Sequence, residues 1–165
     1  MDLVVDAAGW AAWGDRRLRC ALGRAGIAAD KREGDGATPA GSLAMRRVLY
    51  RPDREQPPAT ALPAAPLDPA DGWCDIPDDA AYNRLVRLPY RARAEALWRA
   101  DGVYDLIVVL GWNDAPVVPG QGSAIFLHLA RPDGAPTEGC IALARPDLLL
   151  VLAAADATSR VVVRA

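Results

Sequence analysis

Glycine and proline occur fourteen times each in this chain of 165 residues, and their spread limits it to short elements. Glycine supplies the positive-φ positions of turns, and proline interrupts helices and interior strands. Short segments that predict strands lie between them, at 3–5, 42–50 and 161–163. The pattern predicts a mainly β (β-rich α+β) fold in a single domain over residues 1–165, with long ordered loops and one or two short helices.

Two segments predict the centre of the sheet. The continuous apolar run Asp105–Gly111 is typical of a strand buried on both faces. Ser123–Leu129 predicts a second strand, in which Ala124, Phe126 and His128 share one face. Strand alternation thus places the one histidine of the chain on a defined face of the predicted sheet.

The remaining elements are predicted from local patterns. Trp10–Leu22 with a turn at Gly14–Asp15 predicts a hairpin, and Arg51–Asp71 predicts an ordered proline-rich loop inside the domain. Helices are predicted at Ala92–Trp98, which is rich in Ala and Arg, and at Pro146–Ala155, which carries Pro in its first turn. Both helices are short, so the fold class remains mainly β.

Composition excludes several classes of function. The net charge of −2 gives no electrostatic basis for binding nucleic acid or an anionic membrane surface. No apolar run reaches transmembrane length, and the N-terminus shows no basic segment followed by an apolar core and a cleavage site. We therefore expect no nucleic-acid partner, no transmembrane segment and no visible signal peptide.

The chain has three cysteines, Cys20, Cys74 and Cys140, and an odd number argues against a complete disulfide framework. No two lie at metal-site spacing, and one histidine cannot complete a zinc site. We expect no metal and no cofactor. Cys20 and Cys74 are interpreted as structural, whereas Cys140 follows a glycine in a polar loop.

His128 lies twelve residues before Cys140, and the intervening loop is rich in glycine and proline. A thiol nucleophile needs a base at neutral pH, and imidazole is the usual one. The loop is long enough to bring the two side chains together, and Gly139 would let the backbone approach a substrate closely, with nearby N–H groups forming an oxyanion hole. The alternative is a buried core cysteine with a satisfied core histidine.

The run Thr137–Ile141, with its Gly139–Cys140 pair and a preceding strand that ends in His128, resembles the catalytic domain of YkuD-type L,D-transpeptidases. The segment Gly36–Gly41 is similar to the Thr-Pro-x-Gly element of that family. The resemblance extends over most of the chain, through the segments 31–41, 82–84, 95–104 and 122–143. It implies an L,D-transpeptidase-like β-sandwich or barrel.

The resemblance also implies a chemistry. Cys140 would be the nucleophile and His128 the general base, with the imidazole oriented by a backbone carbonyl. Cys140 would attack the carbonyl after a meso-diaminopimelate-type residue of a peptidoglycan stem peptide, and an amine or water would resolve the acyl-enzyme. The implied partners are peptidoglycan stem peptides, the expected location is the periplasm or cell envelope, with the cytoplasm as the alternative, and we expect a monomer.

One position departs from the family pattern. Most members carry Arg two residues after the cysteine, where this chain has Ala142. Arg84, Arg131 or Arg145 are candidates to replace that guanidinium. Two alternatives to a transpeptidase follow: an L,D-carboxypeptidase or amidase that uses water, and a non-catalytic domain that binds peptidoglycan.

Four further residues are candidates for substrate binding. Tyr82 and Arg84 would line the cleft, with Arg84 pairing a stem-peptide carboxylate, or else they form a turn with a solvated guanidinium. Trp112 would form a cleft wall or serve the core. Thr137 would hydrogen-bond the imidazole or its own loop.

Overall fold

The computed structural model describes residues 1–165 and contains fourteen strands and one helix. The helix, α1, covers Arg145–Ala154. The strands in chain order are β1 (Asp2–Val5), β2 (Trp10–Trp13), β3 (Arg16–Ala21), β4 (Ile27–Ala28), β5 (Thr38–Pro39), β6 (Gly41–Tyr50), β7 (Ala64–Pro66), β8 (Asp71–Cys74), β9 (Leu85–Arg87), β10 (Ala94–Ala96), β11 (Leu106–Leu110), β12 (Phe126–Leu129), β13 (Ile141–Leu143) and β14 (Arg160–Val163). The mainly β prediction is confirmed.

The main sheet has nine strands in the order β11-β12-β13-β3-β2-β1-β14-β6-β7. Because β11 also pairs with β6, the sheet closes on itself. Three of its pairings are parallel: β1 with β14, β6 with β7, and β12 with β13. The first of them joins the two ends of the chain. A separate three-stranded sheet, β10-β8-β9, lies outside this closed sheet.

Alternation along the strands divides the apolar residues into two cores. Ile125, Leu127 and Leu129 belong to the larger core, together with the buried leucines of α1. Phe126 belongs to the smaller core, with Trp73 from the three-stranded sheet. The smaller core therefore joins the two sheets. His128 lies on the same face of β12 as Phe126, as the sequence predicts, and this face points toward the smaller core.

Most predicted elements are present. β2 and β3 form the predicted hairpin, β11 is the predicted fully buried strand, and α1 lies at the predicted C-terminal helix. The proline-rich loop is ordered, with Leu62 and Leu67 both buried. No helix in the structure is long and apolar enough to cross a membrane.

The predicted helix at Ala92–Trp98 is wrong. This segment contains β10, which pairs with β8 through Ala94–Cys74 and Glu95–Trp73. Seven residues are too few for a helix to form without tertiary support, and here the available tertiary partner is a strand edge. Local propensity for helix was overridden by pairing.

β12 begins later than predicted, at Phe126 rather than at residue 123. Ala124 has a φ of +54°, a left-handed conformation that a strand cannot contain. The amide of Ala124 donates a hydrogen bond to Oδ1 of Asn83 (3.1 Å) instead of to a neighbouring strand. Asn83 itself has a φ of +56°.

Candidate active site

The register of two parallel strands brings His128 and Cys140 together. His128 lies opposite Ala142, and Leu127 lies opposite Ile141. Cys140 directly precedes β13 and lies two residues before Ala142, the residue opposite His128. Because side chains alternate along a strand, the side chains of Cys140 and His128 emerge on the same face of the sheet. Both side chains line one cavity of about 350 Å³. The structure thus places the two predicted residues in the same site.

The Cys140 thiol is almost completely buried, with 8% of the residue exposed. It donates a hydrogen bond to the carbonyl of Ala124 (3.2 Å), and its sulfur accepts one from the N–H of Phe126 (3.4 Å). Burial raises the pKa of Cys140 to about 12, and the charge of Glu95 acts in the same direction. The resting residue is therefore a neutral thiol at pH 7.

The imidazole of His128 is held by a backbone carbonyl, as the resemblance implies. Nδ1 lies 2.9 Å from the oxygen of Leu129. A carbonyl can only accept, so Nδ1 carries the proton and Nε2 is left as an unprotonated acceptor. Burial lowers the pKa of His128 to about 4, against the raising effect of that hydrogen bond. The ring also packs edge-on against Tyr104, with centroids 5.2 Å apart.

The loop before Cys140 is fixed by two threonines. Thr137 donates to the carbonyl of Cys140 (2.6 Å) and accepts from the amide of Gly139 (3.1 Å). The hydroxyl of Thr38, in the Thr-Pro-x-Gly element, lies 3.5 Å from the same carbonyl. Thr137 lines the cavity, but its hydroxyl holds the loop rather than the imidazole.

Gly139 is required by packing as well as by conformation. Its φ is +141°, and a Cβ there would lie 2.9 Å from the carbonyl oxygen of Ala37. Its N–H is taken by Thr137, so the predicted oxyanion hole is reduced to the N–H of Cys140, which donates to no group of the protein. The glycine lets the loop before Cys140 approach another loop closely.

Glu95 and Tyr104 are site residues that the sequence did not reveal. The Tyr104 hydroxyl donates to Oε1 of Glu95 (2.5 Å), and both line the cavity beside Cys140. Burial raises the pKa of each group. Glu95 was hidden by the incorrect helix, and no motif marks Tyr104.

The cavity wall is strongly charged and carries both carboxylates and guanidiniums. Its charged residues are Lys31, Glu33, Asp75, Glu95, Arg99, Arg131 and Glu138. Lys31 is buried and pairs with Asp35, which also accepts from the amide of Ala37 (2.9 Å). This ion pair and hydrogen bond stabilise the turn that precedes the Thr-Pro-x-Gly element.

Three predicted substrate residues lie outside this cavity. Tyr82 is buried, donates to Glu33 (2.6 Å) and accepts from the amide of Gly122 (3.0 Å), so it supports the wall from behind. Arg84 and Trp112 line a second cavity. The sequence alone does not indicate which of the two cavities the side chains of Arg84 and Trp112 line.

Ala142 stands where most members of the family carry an arginine. Ala142 is buried next to His128 and lines the cavity. Of the three arginines considered as replacements, only Arg131 lines the same cavity. Arg145 pairs with Glu55, and Arg84 faces the second cavity. Arg99, which the sequence did not single out, joins Arg131 there.

A buried thiol and an imidazole with a free Nε2 line the same charged cavity, and these are the two groups that a cysteine enzyme with acyl intermediates needs. The chain belongs to the YkuD family of L,D-transpeptidase catalytic domains, whose family model matches residues 7–163. No curated protein and no solved structure matches the chain. No cluster of three or more His, Cys, Asp or Glu side chains is arranged to hold a metal ion.

Proposed function

We propose that this protein transfers acyl groups on peptidoglycan stem peptides, with Cys140 as the nucleophile and His128 as the general base. The observation that carries the proposal is the shared cavity, which is lined both by the Cys140 thiol and by an imidazole whose Nδ1 is fixed by Leu129. Membership of the L,D-transpeptidase family supports the substrate class.

The first step begins from two neutral groups. Because the pKa of Cys140 is raised and that of His128 is lowered, a stable thiolate–imidazolium pair is disfavoured before substrate binds. Nε2 takes the thiol proton as sulfur attacks the substrate carbonyl, and the free N–H of Cys140 stabilises the oxyanion. The imidazolium then returns the proton to the leaving amine, which gives an acyl-enzyme.

The second step requires a nucleophile in the same cavity. An amine that attacks the thioester gives a cross-linked peptide, whereas water gives hydrolysis. Glu95 and Glu33 provide negative charge that would attract an acceptor ammonium. Arg99 and Arg131 share one ion-pair partner, Asp101, and so leave a net positive charge for a stem-peptide carboxylate, in place of the guanidinium absent at Ala142.

Hydrolysis is the second candidate, and Ala142 favours it. A small buried side chain beside His128 leaves space near the imidazole where the family pattern places a large cation. A water molecule in that space would compete with the acceptor amine. Product analysis with a stem tetrapeptide and an amine acceptor separates the outcomes, since cross-linked dimers alone would exclude hydrolysis as the main activity.

Intact-mass spectrometry tests the proposal directly. Incubation with a carbapenem or a stem tetrapeptide is expected to add one acyl group, which peptide mapping places on Cys140. Cys20→Ser is the matched control and should acylate normally, because Cys20 lies outside the cavity. An unmodified mass, with the Cys140 thiol shown to be reduced, would contradict the proposal.

Since the substrate lies outside the cytoplasm, we also propose a periplasmic or envelope location.

A further inference from the structure

A second cavity of about 320 Å³ lies beside the first and shares only Ile125 with it. Its size falls within the range of small-molecule sites, which begins at about 300 Å³. It contains no part of the Cys140–His128 pair. The proposed reaction therefore leaves this cavity without a role.

A β-bulge turns two consecutive arginines toward this cavity. Val109 pairs with Arg47 and Leu110 pairs with Met45, so Arg46 is an extra residue in β6. In a regular strand, neighbours point to opposite faces, whereas a bulge redirects one side chain. Arg46 and Arg47 consequently line the same cavity, and Arg84 joins them from the turn before β9.

The cavity carries an excess of positive charge. Arg46 is neutralised by Asp114, with contacts of 2.9 and 3.3 Å. The guanidiniums of Arg47 and Arg84 form no ion pair and donate no hydrogen bond to the protein, and Asp114 is the only acidic residue among those lining the cavity. Two unpaired guanidiniums at one cavity are suited to a carboxylate, which accepts two hydrogen bonds from each fork.

The remaining walls are apolar. Trp73, Leu85, Val109 and Phe126 face the cavity, and Leu85 is among the few large apolar side chains left exposed. The polar amide of Asn83 is already occupied, because it accepts from Trp73 (2.9 Å) and donates to two backbone carbonyls. A ligand would therefore offer a carboxylate to the arginines and a small apolar group to the walls.

We propose that this cavity is a second binding site, for a peptide that presents a C-terminal carboxylate beside a small apolar side chain. The choice of a peptide rests on the proposed function, since stem peptides end in such groups, whereas the site itself does not depend on it. Asn83 joins the two sites: its Oδ1 accepts from the amide of Ala124, and the carbonyl of Ala124 accepts from the Cys140 thiol.

The test uses the full chain carrying Cys140→Ala, so that no acylation occurs. N-acetyl-D-alanine and N-acetyl-D-alaninamide are titrated separately, and the indole N–H signals of the protein are followed by ¹H–¹⁵N NMR. The acid is expected to shift the signals of Trp73 and Trp112 and to bind at least about tenfold tighter than the amide, because only the acid engages both guanidiniums.

Variants locate the binding. Arg47→Gln with Arg84→Gln should weaken binding of the acid by about tenfold or more, whereas the matched control Arg160→Gln, on β14, should leave it unchanged. Equal affinity for acid and amide would overturn the proposal without any variant. So would an unaffected double variant, or inorganic phosphate that binds as tightly as the acid. Acylation of wild-type Cys140 is measured separately, so failure of the proposed reaction is not confused with failure of this site.

Discussion

Protonation of His128 gives a prediction whose magnitude follows from the structure. The imidazole is 7% exposed, and burial lowers its pKa from 6.5 to about 4. Between these two values the unfolded chain binds a proton that the folded protein does not, so stability rises with pH across this window. One pKa unit corresponds to about 1.36 kcal/mol, so folding loses about 3 kcal/mol as the pH falls from 6.5 to 4.

Urea unfolding at several pH values across this window measures the loss. The matched variant is His128→Asn, because the amide nitrogen of Asn can replace Nδ1 as a donor to Leu129. The chain has no other histidine, so no second imidazole contributes to the difference between the two proteins. Wild type should lose more stability on acidification than the variant, by about 3 kcal/mol at the acid end of the window.

Glu95 affects the pH dependence of folding stability in the direction opposite to His128. Burial raises its pKa, so the folded protein holds that proton more tightly than the unfolded chain does, and its contribution weakens as pH rises above about 4.5. This effect is present in wild type and in His128→Asn, and it largely cancels in their difference. Identical pH dependence in the two proteins would refute the buried, neutral imidazole.

Three further predictions concern Cys140, the glycine before it and the aromatic packing next to it. The rate of alkylation of Cys140 by iodoacetamide should rise about tenfold per pH unit from neutral pH upward, because the thiol is neutral; a plateau below about pH 8 would indicate a resting thiolate instead. Gly139→Ala should cost about 2 kcal/mol or more in urea unfolding and slow acylation, since its Cβ would lie 2.9 Å from the Ala37 oxygen; wild-type stability would contradict the close approach. Phe126→Ala should cost about 3–5 kcal/mol, because it removes a fully buried ring in edge contact with Trp73 and Tyr104, and a loss below about 1 kcal/mol would count against that packing.

The sequence predicted those strands in which the local pattern of apolar residues matches the faces that are buried in the structure. β11 is a continuous apolar run, and it is buried on both faces. β12 alternates, and its two faces belong to different cores. The short segment around Glu95 was mispredicted because Ala and Arg favour helix only where no strand edge competes for the backbone.

Of the residues that line the candidate site, the sequence predicted the central pair, His128 and Cys140, but not the surrounding wall. His128 and Cys140 lie close together in the chain, and a motif marks the thiol. Glu95 and Tyr104 reach the cavity through the placement of β10 and of the loop before β11, which pairing across the fold decides. The second cavity depends on one extra residue in β6. The bulge shifts the residues that face the larger core from Leu43 and Met45 to Val48, and the prediction of one strand over 42–50 did not include this shift.

The position of β14 has a consequence for how the protein is made. This strand lies between β1 and the first half of β6, and Asp2 pairs with Arg160. During synthesis both neighbours leave the ribosome long before the strand that covers them, so two open edges wait for almost the whole chain to be translated. A ribosome that stalls before residue 160 would therefore release a product with both edges open to pairing with other chains.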